Sequence, residues 1–422
     1  RFAPRTRSPR RFSGGNSEPP SGAYFFRLYL TTMPATAAAA NRPRVPGSGT
    51  GTEGSGAAGG NEAADPILIG HSVSMTGGSA LWGQSEQNAL KMAVDKINAD
   101  GGVLGREIKI IAYDNKAEQA EGVNVANRLV ADGCIAVIGP AQSGVAIASS
   151  AVTEEAKVIL IATTATNEKL TVPEGASEAL PYTFRSCFID PYQGMVAATF
   201  AYDTLGIKKA GILKDVGSDY STYLAKYFTD PFTSLGGEIV ADEAFRSEEL
   251  EYKAQLSKIK DAGAELLFIP TEQKEAGLAM KQARELGMEC QFLGGDGWAS
   301  EELVSLGGEG TEGSYFVNIA SLADPAISDW VKEYTETFGK NPVMPNPALA
   351  VDGLLAVVEA IKATESTDST VLAQWLENCK DVQVLTGKLT IDPATHNPVG
   401  KPAVIETVKD GQFVFYQGVT AE

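Results

Sequence analysis

From Pro66 onward the chain alternates between short apolar runs of strand-forming residues and longer segments with apolar residues at helical spacing. No other feature constrains its fold as strongly. ILIGHSV reads as a buried strand, and SEQNALKMAVDKINADGG carries Ala89, Leu90, Ala93, Val94 and Ile97 on one helical face until Gly101 and Gly102 stop it. EIKIIAYD, CIAVIGP and VILIAT follow as strands, with helices AEQAEGVNVANRLVAD and GVAIASSAVTEEA between them. Such an order predicts a parallel sheet covered by helices on both faces. The same grammar restarts after Arg185: helix MVAATFAYDTLG, strand KAGILKD, helix STYLAKYFTDPFTSLGG, strand GEIVADEAF, helix YKAQLSKIKDAG, strand ELLFIP, helix EAGLAMKQARELG and strand CQFLGG.

With 422 residues the chain exceeds what one ordinary core holds, so two similar α/β lobes are the economical architecture. In such sheets ligands sit outside the carboxyl ends of the strands. The loops at those ends form a coherent set: SMTGGSALWG, GPAQSG and ATTATN from the first lobe, DVGSDY, PTEQ and GGDGW from the second. The first three offer hydroxyls, free amides and one large aromatic, and the last three offer carboxylates and a tyrosine. A zwitterion held between lobes needs that polarity, neutral donors facing its carboxylate and an anion facing its ammonium.

Charge and composition exclude several other classes. The net charge is −18, but residues 1–60 carry +6, which leaves −24 for the remainder. A body that acidic repels phosphate backbones, so no nucleic-acid partner is expected. The cysteines Cys134, Cys187, Cys290 and Cys379 form no C-x-x-C pair, and His71 and His396 are the only histidines. Neither a metal site nor a His-based catalytic triad has the material it needs. No G-x-S-x-G elbow or phosphate-binding loop occurs in the body. The formal G-x-G-x-x-G at Gly54, Gly56 and Gly59 lacks the preceding strand and following helix that would make it a dinucleotide fingerprint. Neither a cofactor nor a catalytic residue is expected. Residues 1–65 read as a disordered tail and linker, basic at first and then a low-complexity Ala/Gly/Ser/Pro run. Their apolar patch AYFFRLYL is broken by Arg27 and makes neither a membrane span nor a convincing signal sequence.

The stretch from about Pro66 to Gln417 resembles type I periplasmic substrate-binding proteins of the leucine/isoleucine/valine-binding family, the receptors of branched-chain amino-acid ABC transporters. The resemblance is carried by SMTGGSALWGQSEQNALKMAVDKINADGGVLGREIKI, AVIGPAQSG, ATTATNEKLT, YTFRSCFIDPYQG, KQARELGMECQFLGGDGW and GKLTIDPATHNPVGKPAVI, in this order. It implies two Rossmann-like lobes joined by a three-crossover hinge, lobe one from 66–187 plus 317–388 and lobe two from 188–316 plus 389–422. It also implies a monomer that closes around a free amino acid and docks on membrane permease subunits. The place of work would be the periplasm or the outer face of the cytoplasmic membrane, with the linker as tether to a lipid anchor, although no lipobox cysteine is legible.

Residue by residue, the resemblance assigns Ser143 and the Gly144 amide to the ligand carboxylate. The Thr166 hydroxyl and the Thr164 carbonyl become further contacts, Trp82 covers the ligand, and Asp296 pairs with the ammonium. Tyr220 and Glu272 fall on the rim of lobe two. Without ligand, Asp296 is expected to face water. Two departures stand out: Asn115, Lys116 and Gln142 surround the place of the family's disulfide, and Asn167-Glu168 replaces the proline usual after the threonine loop. Competing classes are a ligand-sensing domain of a receptor or regulator, which shares this fold, and a small-molecule α/β enzyme.

Overall fold

The computed structural model describes residues 65–419; of the expected tail and linker only Asp65 is among them. In chain order the first part contains β1 (Ile67–Val73), α1 (Ala80–Ala99), β2 (Ile108–Asp114), α2 (Gln119–Ala131), β3 (Ala136–Ile138), α3 (Ser143–Ala156), β4 (Ile159–Ala162) and β5 (Thr183–Arg185). All five strands are parallel, in the order β2-β1-β3-β4-β5.

The second part runs α4 (Asp190–Thr199), β6 (Lys209–Asp215), α5 (Asp219–Ser234), β7 (Glu238–Phe245), α6 (Lys253–Asp261), β8 (Leu266–Phe268), α7 (Gln273–Glu285), β9 (Gln291–Gly294), α8 (Glu301–Gly307) and β10 (Tyr315–Asn318). Next come α9 (Ser328–Phe338), α10 (Asn346–Thr364), α11 (Ser369–Glu377), the hairpin β11 (Val382–Val384) and β12 (Gly387–Leu389), and finally β13 (Ala403–Lys409) and β14 (Gln412–Val419). The second sheet has the order β14-β13-β10-β9-β8-β6-β7, with β13 and β14 antiparallel to their neighbours.

The central strands of each sheet are buried on both faces, as their continuous apolar runs require. One face of the first sheet packs Ile67, Ile69, Ile138 and Ile161 against α1, α10 and α11, and the other packs Val137 and Leu160 against α2 and α3. The second sheet packs Ile212 and Phe268 against α4 and α5, and Leu267 and Phe292 against α6, α7 and α8. Helix α10 is apolar nearly all round, which marks a helix enclosed by protein. Its Leu354 and Val357 sit in the first core, while Leu349, near its start, reaches the second.

The chain passes between the sheets three times. Strand β10 lies whole in the second sheet, so the second crossover falls beyond Asn318 and not at 316/317. Ile391 still belongs to the first core and Ala403 to the second, which moves the third crossover past 388/389. The predicted helix MVAATFAYDTLG begins earlier, at Asp190, where Pro191 occupies the first turn and needs no amide partner; it ends in a π turn over Phe200–Thr204.

Candidate functional site

Strand order reverses beside β1 in the first sheet, between β2 and β3, and beside β6 in the second, between β7 and β8. At such switch points the loops diverge and leave a crevice at the strand ends. Here the two crevices face one another and enclose a cavity of about 470 Å3, to which every one of the six predicted loops contributes. Of the expected site residues, Trp82, Ser143, Gly144, Thr164, Tyr220, Glu272 and Asp296 line it.

On the first wall Ser143 opens α3. Its hydroxyl accepts the Asn167 amide at 3.3 Å, which leaves its own proton free to donate into the cavity. Helix capping does not occupy it, because the N-cap residue is Gln142. The first intrahelical bond comes from the Ala146 amide, so the amides of Ser143 and Gly144 find no partner inside α3. Free amides at a helix start attract a carboxylate. The Thr164 hydroxyl faces the Ala141 carbonyl at 3.4 Å and accepts from Asn346 Nδ2 at 3.1 Å.

Thr166 does not join this wall. It is 0 % exposed, its carbonyl accepts the Asp190 amide at 2.8 Å, and its hydroxyl is buried with no hydrogen-bond partner among the described residues. Arg185, missed by sequence reasoning, holds the loop from beneath: its guanidinium donates to the carbonyls of Ala165 at 2.6 Å and Asn167 at 2.7 Å. Also missed was the buried network below Asn346, where Glu86 accepts from Asn346 Nδ2 at 3.1 Å and Thr163 Oγ1 at 3.2 Å and meets His71 Nε2 at 3.2 Å. Where the family carries its disulfide, Ser74 Oγ lies 2.7 Å from Asn115 Oδ1 and 3.1 Å from Gln142 Oε1, so a polar contact ties the same two loops. All four cysteines are buried free thiols.

On the second wall the frame GGDGW is explained by close approach. A Cβ on Gly294 would lie 2.1 Å from the Trp298 ring, and one on Gly295 would lie 2.4 Å from the Tyr220 hydroxyl and 2.9 Å from Gln193 Nε2. Only glycines let those groups reach inward. Gln193 Nε2 at 2.7 Å and the Tyr220 hydroxyl at 3.0 Å both donate to Asp296 Oδ1, leaving Oδ2 without a side-chain partner among the described residues. With the walls in contact, Asp296 is 5 % exposed and does not face water. Burial pushes its carboxyl up to about 6, against the lowering effect of the Gln193 and Tyr220 hydrogen bonds. Tyr220 therefore acts on Asp296, and burial lifts its own phenol well above the usual range.

The walls touch. Trp82 Nε1 donates to the Ala299 carbonyl at 3.2 Å, Ser79 Oγ to Glu272 Oε2 at 3.1 Å, Gln273 Nε2 to the Gly78 carbonyl at 2.9 Å, and Asn167 Nδ2 to the Asp219 carbonyl at 3.3 Å. Trp82 is 6 % exposed as a result. Glu272 is partly buried between the walls, and desolvation, reinforced by the neighbouring Glu275, pushes its carboxyl up to about 7.

Fold and site together define a two-lobed protein that closes over a small polar ligand. Residues 66–412 match the family of periplasmic binding proteins, and the chain belongs to it. It is 30% identical over 365 residues, 86% of this chain and 96% of the relative, to Leu/Ile/Val-binding protein homolog 2 of Brucella abortus. Its fold matches that of the branched-chain amino acid transporter substrate-binding protein LivJ from Streptococcus pneumoniae, solved with isoleucine, at a TM-score of 0.76 and 32% identity over 84% of this chain and 99% of that one. A solute-binding protein of an ABC transporter from Rhodopseudomonas palustris, solved with 3,4-dihydroxybenzoic acid, matches at 0.73 and 25% identity over 84% and 98%.

Proposed function

We propose that this chain is the extracytoplasmic solute receptor of an ABC transporter, that it captures a free α-amino acid without turnover or cofactor, and that it delivers the ligand as a monomer to membrane permease subunits. One observation carries this reading: a single cavity has unspent amides and the Ser143 hydroxyl on one wall and an unpaired carboxylate oxygen of Asp296 on the other. A zwitterion satisfies both. An aromatic acid without an amine, such as the one held by the Rhodopseudomonas neighbour, would leave Asp296 buried and unpaired.

The same arrangement couples binding to closure. Lobe one, built on the first sheet, brings Ser143, Gly144, Thr164 and Trp82, and lobe two, built on the second sheet, brings Asp296 and Glu272. Closing the walls buries these acids, which is costly while they are ionised and unpaired. A ligand ammonium removes part of that cost, so the ligand favours the closed form by its differential affinity for it. Residues 1–65 are proposed as the tether that keeps the receptor outside the cytoplasmic membrane.

A thermal-shift screen of free amino acids, on protein unfolded and refolded to strip carried ligand, tests the reading. A true ligand at a hundredfold excess over its Kd adds about 2.7 kcal/mol to stability. A screen flat for every amino acid refutes it.

A further inference from the structure

The second wall carries more negative charge than an α-ammonium needs. Among the described residues, Asp215, Asp219, Glu248, Glu272, Glu275 and Asp296 line the cavity from this wall, against one lysine, Lys274. Lys116 is drawn to Glu121 at 3.5 Å, and among the described residues none of Asp296, Glu272 and Glu275 has an ion pair. Glu275 lies in the first turn of α7, an ordinary place for an acid. Glu272 is different. It is the N-cap residue of α7 yet makes no capping bond, and its Oε2 instead receives a hydrogen bond from Ser79 on the other wall. Beside it Gln273, 2 % exposed and also lining the cavity, leaves its buried Oε1 with no partner.

Around Asp296 and Glu272 the side-chain donors are already engaged, and Lys274 acts on Glu275. The Tyr220 hydroxyl proton goes to Asp296, that of Ser247 to Asp215 at 2.6 Å, and that of Ser79 to Glu272. Asp296 Oδ2, Glu272 Oε1 and Gln273 Oε1 remain as acceptors. An aliphatic side chain brings no donor to them and leaves a partly buried carboxylate without a compensating charge, at a cost. A guanidinium or ammonium brings several donors and a compensating charge. Trp82, the large aromatic of the opposite wall, offers a face that a cation also favours.

We infer that the cleft selects an amino acid with a cationic side chain over an aliphatic one, with Asp296 taking the α-ammonium and Glu272, helped by Gln273, taking the side-chain cation. The inference rests on the receptor reading above and narrows it to a ligand class. Glu272 is then the specificity-determining residue and Asp296 the residue common to every amino-acid ligand.

Calorimetry on the refolded full chain with L-arginine, L-lysine, L-ornithine, L-citrulline and L-leucine tests this. At least one of the three basic amino acids should bind ten or more times tighter than leucine, and citrulline, the neutral analogue, should fall well below arginine. Glu272→Gln, which keeps shape and removes charge, should weaken the basic ligand at least tenfold and leave leucine unchanged or tighter, with the thermal midpoint of the free protein preserved. Leucine binding tighter than all three basic amino acids overturns the inference while leaving the receptor reading in place, as does an equal effect of Glu272→Gln on both classes. A panel in which no amino acid binds overturns both.

Discussion

Replacing Asp296 with alanine separates a ligand-binding role from a structural one, because the two act on different quantities. Bound ligand would lose the charge that pairs with its ammonium in a closed cleft, which costs roughly 2 to 5 kcal/mol, or about 30-fold to several thousandfold in Kd. The stability of the ligand-free protein moves on another scale. Alanine leaves Gln193 Nε2 and the Tyr220 hydroxyl without their acceptor at Asp296, a loss of about 1–3 kcal/mol. Against this, burial holds the carboxyl near 6 instead of 3.8, and each unit of rise costs about 1.4 kcal/mol when the group is ionised. The sign follows from linkage: with the folded value raised, the stability present below pH 4 is lost as pH rises through about 6. Relief of that burden, about 3 kcal/mol, should offset the lost hydrogen bonds at pH 8. The Ala variant should then equal wild type or exceed it by up to about 2 kcal/mol at pH 8 and fall about 1–3 kcal/mol below it at pH 4. Asp296→Asn should recover part of the affinity, since it keeps an acceptor without the charge. Calorimetry for affinity and urea unfolding at both pH values give the two numbers. An affinity loss under threefold refutes the reasoning.

Two further substitutions probe the scaffold. Asp190 is fully buried, neither of its oxygens has a hydrogen-bond partner, and burial pushes its carboxyl up to about 8; Asp190→Asn should therefore leave stability unchanged at pH 4 and raise it by at least about 1 kcal/mol at pH 8, read by urea unfolding. A Cβ on Gly144 would lie 2.6 Å from Gln119 Nε2 and 3.0 Å from Asp219 Oδ2, both ends of flexible side chains; Gly144→Val should thus preserve the fold while hindering closure, with affinity down at least about tenfold and a thermal midpoint within a few degrees of wild type.

Sequence periodicity was enough for β1–β4 and β6–β9 and the helices between them, since parallel strands buried on both faces require the apolar runs that make them visible; the three-residue β5 and the antiparallel, largely exposed β14 carry no such run. It also sufficed for the wall-forming loops, because polar and glycine-rich stretches at strand ends are where an α/β sheet places a ligand. The Asp296 anomaly was legible for a physical reason: an acid directly after a buried strand has to be satisfied by something. What satisfies it was not legible. Gln193 lies 103 positions away in sequence and Tyr220 76, and no local pattern links them to GGDGW. Thr166 went the other way, because the orientation of a side chain on a short loop depends on partners such as Arg185 and Asp190 that only the tertiary structure assembles. The Glu86, His71 and Asn346 network escaped for the same reason: each residue taken singly is an unremarked polar group in a helix or strand. The crossovers were displaced by a few residues because hinge segments carry no periodicity of their own.

The central claim is that one free amino acid spans the two walls, and the most direct test is a crystal structure of the refolded protein with its tightest-binding amino acid. The ligand carboxylate should lie within about 3 Å of the Ser143 hydroxyl and the Gly144 amide, and its ammonium within about 3 Å of Asp296. A ligand bound outside this cavity, or inside it with its ammonium turned away from Asp296, would contradict the account.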